Sequence, residues 1–372
     1  MKNEWKKCRR ILCIRPDNIG DLLMSTPAIR ALKQTFNCHI TVLVSSLGAA
    51  AVPEIPEIDE AIVFDVPWVQ TTGIPDPAGF YQLVKQLREG RFDAAVVFTV
   101  YSQNPMPSIM LAYLAEIPLR LAYCRENPYQ LLTHWIPDDE PYTHIRHQVV
   151  RDLDLVAQIG AVTGEQHLSI QTREILWPLV CEKLLLLGLD PRKPWIILHP
   201  EVSEQKRRYP VRDWITAGKK IKAATNCQIL ITGKNNTAEA QEIAAGIGSH
   251  TFSAAGLFDL TELIVLIKHA PLLLSVNTGT IHIAAAVRTP VLVLYALTNP
   301  QHTPWRVTSK VLYFDVPVAL QSKNEVVKYV YRSFSAEKLP LATPDNIAKM
   351  AQAMLELTAA SSGSFEEPHA LS

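Results

Sequence analysis

Residues 11–21 read Ile-Leu-Cys-Ile-Arg-Pro-Asp-Asn-Ile-Gly-Asp. The run 11–14 is apolar throughout and reads as a buried strand. A tight turn at 17–20 follows, with Gly20 inside it. A helical pattern then starts at or near Asp21 and reaches about residue 35, with Leu22, Ile29 and Leu32 on one face. Pro27 interrupts this helix and predicts a kink, or a restart with Thr26 as cap and Pro27 in the first helical position. A strand, a tight turn and a helix open a parallel α/β sheet, in which ligands gather at the carboxyl ends of the strands. Asp21 stands at such an end. The residues alone leave it two roles: a cap of the helix, which Asp17 offers equally, or a side chain directed into a crevice. The stretch is neither G-x-G-x-x-G nor a Walker loop, so it lends no support to an NAD enzyme or a P-loop NTPase.

The same alternation extends along the chain. Strands are expected at 39–44, 61–64 and 94–98, with a helix at 80–89. A looser, proline-rich region spans 100–142 and contains Pro105, Pro107, Pro118, Pro128, Pro137 and Pro141. Helices are expected at 146–159 and 174–187, the second ended by Gly188. The pattern then restarts with strands at 195–199, 228–232, 272–276 and 291–295. The helices between and after them fall at 213–224, 237–245, 260–269, 281–287 and 344–357. This predicts an α/β chain of two domains, 1–175 and 176–358, followed by a disordered tail at 359–372. A length of 372 residues suits two domains.

Composition narrows the function classes. Apolar residues make up 48% and charged residues 19%, an ordinary globular balance and not that of a disordered chain. Lys+Arg and Asp+Glu are 36 each, so a chain-wide basic footprint for nucleic acid is absent. Cys8, Cys13, Cys38, Cys124, Cys181 and Cys227 are scattered with no C-x-x-C pair, which argues against a zinc site or a disulfide framework. The first apolar run is too short for a signal peptide, and no stretch approaches the ~18 apolar residues of a membrane span.

Two further segments carry chemistry. Residues 199–210 read His-Pro-Glu-Val-Ser-Glu-Gln-Lys-Arg-Arg-Tyr-Pro and follow a strand. Lys206, Arg207 and Arg208 make a cluster fit for a diphosphate, although such charge runs are also common on solvated loops. Residues 272–286 read Leu-Leu-Leu-Ser-Val-Asn-Thr-Gly-Thr-Ile-His-Ile-Ala-Ala-Ala. Here an apolar strand runs into a helix whose leading amides make an anion site. Gly279 permits close approach, and the alanines permit tight packing of helix on sheet. His282, in the first turn, faces either the ligand or a neighbouring loop.

Taken in order, these segments resemble glycosyltransferase family 9, the ADP-heptose:lipopolysaccharide heptosyltransferases, over about residues 10–306. The carriers are R-x-D-N-I-G-D-L-L-x-S-T-P-A-I-R-A-L from Arg15, Arg-Phe-Asp-Ala-Ala-Val-Val-Phe at 91–98, and His-Pro with Lys-Arg-Arg-Tyr-Pro at 199–210. Asn-Thr-Gly-Thr-Ile-His-Ile-Ala-Ala-Ala with Thr289-Pro290, and then Tyr-Ala-Leu-Thr-Asn-Pro at 295–300, complete the set. The resemblance implies a GT-B fold, two Rossmann-like parallel-sheet domains facing across a cleft. The N-terminal domain would carry the acceptor and the general base, and the C-terminal domain the nucleotide-sugar donor.

It further implies inverting transfer of a sugar, heptose for this family, from a donor such as ADP-heptose. The acceptor would be a hydroxyl of a lipopolysaccharide core or other cell-envelope glycan. No cofactor is obligatory, and Mg2+ is at most stimulatory. Asp21 falls on the family's general base. The lysine of its K-x-W-P pattern falls on Arg207, with Tyr209 in the tryptophan's place and Lys206 adjacent. Donor contacts are assigned by the resemblance to Ser203, Lys206, Arg207, Asn277, Thr278, Gly279, Thr280 and His282, with Glu239 as the ribose glutamate. Asn18, Gln103 and Arg120 are acceptor candidates, with Tyr101, Tyr123, Arg125 and Asn127 nearby in sequence.

Three positions depart from the family pattern: Asn277 for an aspartate, Glu201 for a glycine, and Arg207 for a lysine. Asn277 and Glu201 favour an alternative, a GT-B-like nucleotide-sugar binding protein without turnover. A second alternative is a nucleotide-sugar epimerase. The expected partners are the donor and a glycan or lipid-linked acceptor, with no nucleic acid, and the chain is expected to be a monomer. It is expected in the cytoplasm, at the inner face of the inner membrane. There Lys2, Lys6, Lys7, Arg9 and Arg10 would provide a weak electrostatic attachment.

Overall fold

Apolar runs of four to six residues are long enough to span a sheet, and in this chain they build two sheets. The structure, a computed structural model, describes residues 2–69, 77–296, 299–334 and 341–363. The first sheet contains β1 (Arg10–Ile14), β2 (His39–Val44), β3 (Glu60–Val63), β4 (Ala94–Val97), β5 (Leu119–Cys124) and β6 (His134–Pro137). The second contains β7 (Trp195–His199), β8 (Gln228–Ile231), β9 (Thr251–Ser253), β10 (Leu273–Val276), β11 (Val291–Ala296) and β12 (Ser309–Phe314). Their orders are β3-β2-β1-β4-β5-β6 and β12-β11-β10-β7-β8-β9. All strand pairs are parallel. Each sheet thus has the 3-2-1-4-5-6 order of a doubly wound nucleotide-binding fold, with its switch point beside the first strand.

The chain divides into two compact units. Met1–Gln171 joins Asn299–Trp305 and Asn324–Val330 in one, and Thr172–Thr298, Arg306–Lys323 and Tyr331–Ser372 form the other. The sequence reading places the two short returning segments in the second domain, 176–358. Side-chain pairing brings them to the first: Gln301 Nε2 donates to Glu140 Oε1 at 3.2 Å, Trp305 Nε1 donates to the Gln166 carbonyl at 2.7 Å, and Asn324 Nδ2 donates to the Ser102 carbonyl at 3.2 Å.

Four local expectations are corrected. The helix after β1 is continuous, Ile19–Phe36, with Asn18 as cap and Pro27 inside it. Proline lacks the N–H that would bond the carbonyl four residues back. The Thr26 hydroxyl donates to that Leu23 carbonyl at 2.7 Å, so the turn stays closed. The region 100–142 is regular, holding the helix Met106–Leu114, β5 and β6. Its prolines fall where they do no harm: Pro107 lies in the first helical turn, and Pro137 ends an edge strand. Strands β9 and β12 and the helix Glu325–Phe334 went unanticipated, since β9 is three residues long and β12 has a half-exposed, unalternating pattern. The last helix, Pro344–Gly363, runs into the stretch expected to be disordered, and 364–372 lie outside the described residues. So do Leu297 and Thr298 of the 295–300 motif.

Candidate active site

In the first unit, chemistry collects beyond the end of β1. Arg15 follows the strand and is fully buried. Its Nη1 lies 3.4 Å from Asp17 Oδ2, and its Nη2 donates to Asp21 Oδ1 at 3.2 Å. Burial opposes the guanidinium charge, but Asp17, Asp21 and Asp152 outweigh it, and the Arg15 pKa is raised. Asp21 occupies the third position of its helix, so the leading amides and the buried arginine both favour a carboxylate there. Its side chain is 18% exposed, and His302 Nε2 lies 3.8 Å from Oδ1. Asp17 is more deeply placed. Gln103 Nε2 donates to its Oδ1 at 2.6 Å, and burial pushes its pKa up to about 6 against the pull of Arg15.

The acceptor candidates separate. Asn18 is exposed at the helix start, and its side chain makes no cap bond. Gln103 is a brace: it holds Asp17 while its Oε1 accepts from the Val100 amide at 3.1 Å. Arg120 does not belong with them. It lies near the start of β5, the opposite end from β1's functional loop, and its guanidinium is spent on the Leu131, Ile117 and Gln130 carbonyls. Tyr101 is buried. Tyr123 lies beneath the guanidinium groups of Arg146 and Arg151, and Arg125 donates to the Tyr101 and Glu140 carbonyls. Asn127 accepts from the Tyr129 amide.

In the second unit, the loop after β7 meets the loop after β10. Arg207 Nη1 donates to the Asn277 carbonyl at 3.2 Å, which sets the cation loop against the start of the helix Gly279–Val287. Thr278 caps that helix in an extended conformation without a side-chain bond to it. Its hydroxyl instead pairs with Thr280 at 2.8 Å, and Thr280 with Ser275 at 3.1 Å. The leading amides are therefore left uncapped by a side chain, as an anion site requires. Glu204 holds the cations in place, with Oε2 at 2.6 Å from Lys206 Nζ and Oε1 at 2.9 Å from Arg207 Nη2. Burial raises the Glu204 pKa, but Arg207 and Lys206 prevail and lower it.

Other donor candidates have structural duties. The Asn277 side chain accepts from the Ala296 amide at 3.1 Å, tying β10 to β11, so its carbonyl is the part that meets Arg207. His282 is buried inside its helix, and Ser203 is exposed on the loop. Glu239 Oε2 accepts from Arg208 Nη2 at 2.5 Å and Asn236 Nδ2 at 2.6 Å. Tyr209 is a core residue whose hydroxyl donates to the Ala342 carbonyl and whose ring packs edge-on to Trp214 and Phe314. His199 is buried, Nδ1 lies 2.9 Å from the Thr232 hydroxyl, and burial lowers its pKa to about 4.

The family model described as glycosyltransferase family 9 (heptosyltransferase) matches residues 80–328. The chain belongs to glycosyltransferase family 9. This transferase is 26% identical over 309 residues to lipopolysaccharide heptosyltransferase 2 of Salmonella typhimurium, a match covering 79% of the chain and 85% of the relative. Among solved structures, the family 9 glycosyl transferase of Veillonella parvula superposes with a TM-score of 0.72 at 17% identity, covering 94% of this chain and 97% of that one. The E. coli ADP-heptose LPS heptosyltransferase II superposes at 0.68 and 21% identity, covering 94% and 99%. The fold of the transferase is therefore GT-B.

Sequence reasoning missed Arg15, His302 and Glu204 as parts of these sites. Arg15 had a signal: a cation directly after an apolar strand, with acids two and six residues on. His302 had none, because it reaches Asp21 from far along the chain. Among the described residues, no group of three or more His, Cys, Asp or Glu side chains is arranged to hold a metal ion, and no helix is long and apolar enough to cross a membrane.

Proposed function

We propose that this transferase moves a heptose from a nucleotide-diphosphate donor such as ADP-heptose to a hydroxyl of a lipopolysaccharide core or related cell-envelope glycan, with inversion at C1. The observation that carries the reading is the Asp21 carboxylate, held beyond the end of β1 by the buried Arg15 and left partly open to solvent. Asp21 takes the proton of the acceptor hydroxyl as its oxygen attacks C1 and the bond from C1 to the diphosphate oxygen breaks. The charge on the departing diphosphate is carried by Arg207, Lys206 and the amides of Gly279 and Thr280 at the helix start. That makes a metal dispensable. The donor follows the relatives, which are a lipopolysaccharide heptosyltransferase and an ADP-heptose LPS heptosyltransferase. The enzyme would act from the cytoplasmic side of the membrane that holds its acceptor.

A transfer assay tests this. The purified enzyme is offered ADP-, GDP-, UDP- and CMP-linked sugars with a truncated lipopolysaccharide acceptor, with EDTA and then with Mg2+. The expected outcome is transfer from ADP-heptose in EDTA, with the anomeric configuration reversed in the product. Transfer only with metal, or with retained configuration, would overturn the mechanism. Donor conversion without acceptor would make the protein an epimerase, and tight donor binding with no turnover a binding module.

A further inference from the structure

We infer that His302 governs Asp21 through its charge: neutral, it leaves the carboxylate able to take the acceptor's proton, and protonated, it pairs with the carboxylate and silences it. The inference rests on the reading of Asp21 as the base and adds its regulation. His302 belongs to the segment 299–305, which returns to the first unit and is anchored there on both sides of the histidine. On one side Gln301 is fully buried, and its Nε2 donates to Glu140 Oε1 at 3.2 Å and to the Arg146 carbonyl at 3.0 Å. On the other side the Thr303 carbonyl lies 2.8 Å from His147 Nε2, and the Trp305 ring packs on His147 with centroids 4.6 Å apart. Between these anchors, His302 Nε2 stands 3.8 Å from Asp21 Oδ1.

The two oxygens of Asp21 differ. Arg15 Nη2 donates to Oδ1 and His302 approaches that same atom, whereas Oδ2 meets no partner among the described residues. Oδ2 is therefore the oxygen open to the acceptor hydroxyl. A protonated imidazole puts a second cation against Oδ1, and an opposite charge at this range makes a carboxylate about tenfold or more reluctant to take a proton. The neutral imidazole has its own support. Asn299 Oδ1 accepts from the Gln301 amide at 2.9 Å, which turns Asn299 Nδ2 toward His302 Nε2 at 3.4 Å. An amide NH2 only donates, so it selects the imidazole with its lone pair on Nε2. Asn299 and Asp21 thus favour opposite protonation states of one nitrogen, on a side chain that changes charge near pH ~6.5. The neighbouring charges are otherwise committed. Asp152 is held by Ser25 and Gln148, and Glu140 by Arg146 and Arg151. His147 donates from Nε2 to Thr303, accepts at Nδ1 from the Val149 amide, and has its pKa lowered by burial. Asp17, raised to about 6 by burial, is the other group near Asp21 that titrates in this range.

The test is the pH profile of kcat/KM for the acceptor, with ADP-heptose as donor and a truncated lipopolysaccharide as acceptor. Wild type, His302→Gln and His302→Lys are compared from about pH 5.5 to about 8.5, each checked for folding by thermal unfolding. Wild type should lose about tenfold between the upper and lower ends, as a histidine one pH unit below its midpoint is about nine-tenths charged. His302→Gln, neutral throughout, should lose less than about threefold over the same span. His302→Lys, charged throughout, should transfer at least about tenfold more slowly than His302→Gln at the upper end. A wild-type profile that is flat overturns the inference before any variant is made. A fall that survives in His302→Gln belongs to Asp17 or to the substrate phosphates and overturns it too. Equal rates for His302→Lys and His302→Gln at the upper end show that the charge at 302 is not felt by Asp21. The reading of Asp21 as the base fails separately, if Asp21→Asn transfers as fast as wild type.

Discussion

Two loops hold the same topological place and carry inverted charge. After β1, a buried cation, Arg15, is flanked by the carboxylates Asp17 and Asp21. After β7, a carboxylate, Glu204, is flanked by the cations Lys206 and Arg207. Both loops follow the first strand of a 3-2-1-4-5-6 sheet. Topology therefore fixes where a ligand is met, and the residues at that point fix what is done to it. In the proposed reaction, the arrangement after β1 presents a carboxylate for a proton, and that after β7 presents cations for a phosphate. In each, the central group is of the sign that holds its neighbours in place while no ligand is bound.

Substitutions at these loops sharpen or break the comparison. The largest effect is expected at the presented carboxylate. Asp21→Asn should cut transfer by about 10²–10⁴-fold, the usual contribution of a positioned base, while nucleotide affinity stays within about twofold. Transfer retained at near wild-type rate would move the base elsewhere, with Asp17 the nearest carboxylate. Next comes the cation beneath it. Arg15→Met leaves Asp17 and Asp21 facing each other across a buried gap, and the loss of one partner from such a cluster costs about 3–5 kcal/mol. Chemical denaturation should show that loss. A change under about 1 kcal/mol, the scale of a surface pair, would mean that Arg15 is not the keystone of the loop.

The mirror-image substitution should act in the other direction. Glu204→Gln releases Lys206 and Arg207, both partly exposed, so nucleoside diphosphate affinity should rise about three- to tenfold, consistent with a weak solvent-screened restraint. A fall in affinity would show that Glu204 orients the cations instead of restraining them. The smallest effect is expected in pH scans of thermal unfolding. Asp17, with its pKa raised to about 6, holds its proton longer when folded, so its contribution to stability falls as pH rises from about 4 to 6. His199, lowered to about 4, resists protonation when folded, so its contribution falls as pH drops from about 6.5 to 4. Asp17→Asn should therefore flatten the fall in Tm between about pH 4 and 6, and His199→Gln the fall between about pH 6.5 and 4, each by a few degrees. The same sign for both would show that burial does not govern these groups.

The sequence by itself determined the strand-and-helix alternation, the two α/β units, the family and the segments that carry chemistry. These are local properties: apolar runs, caps and motif spacing are written in adjacent residues. Only the tertiary structure decided which polar side chains in those segments are free to act. Arg120 and Asn277 stand among the sequence candidates beside Asp21 and Arg207, but carbonyls consume the guanidinium of the first and the Ala296 amide takes the side chain of the second. The proline-rich stretch looked irregular because proline punctuates loops, yet its prolines sit at helix starts and strand ends that only the finished sheet defines. His302 meets Asp21, and Glu201 meets the turn after Gly233, across sequence separations that no periodicity records. The reason is physical. A motif fixes residue type and order, whereas the availability of a charge depends on every hydrogen-bonding group that folding brings within 3 or 4 Å of it.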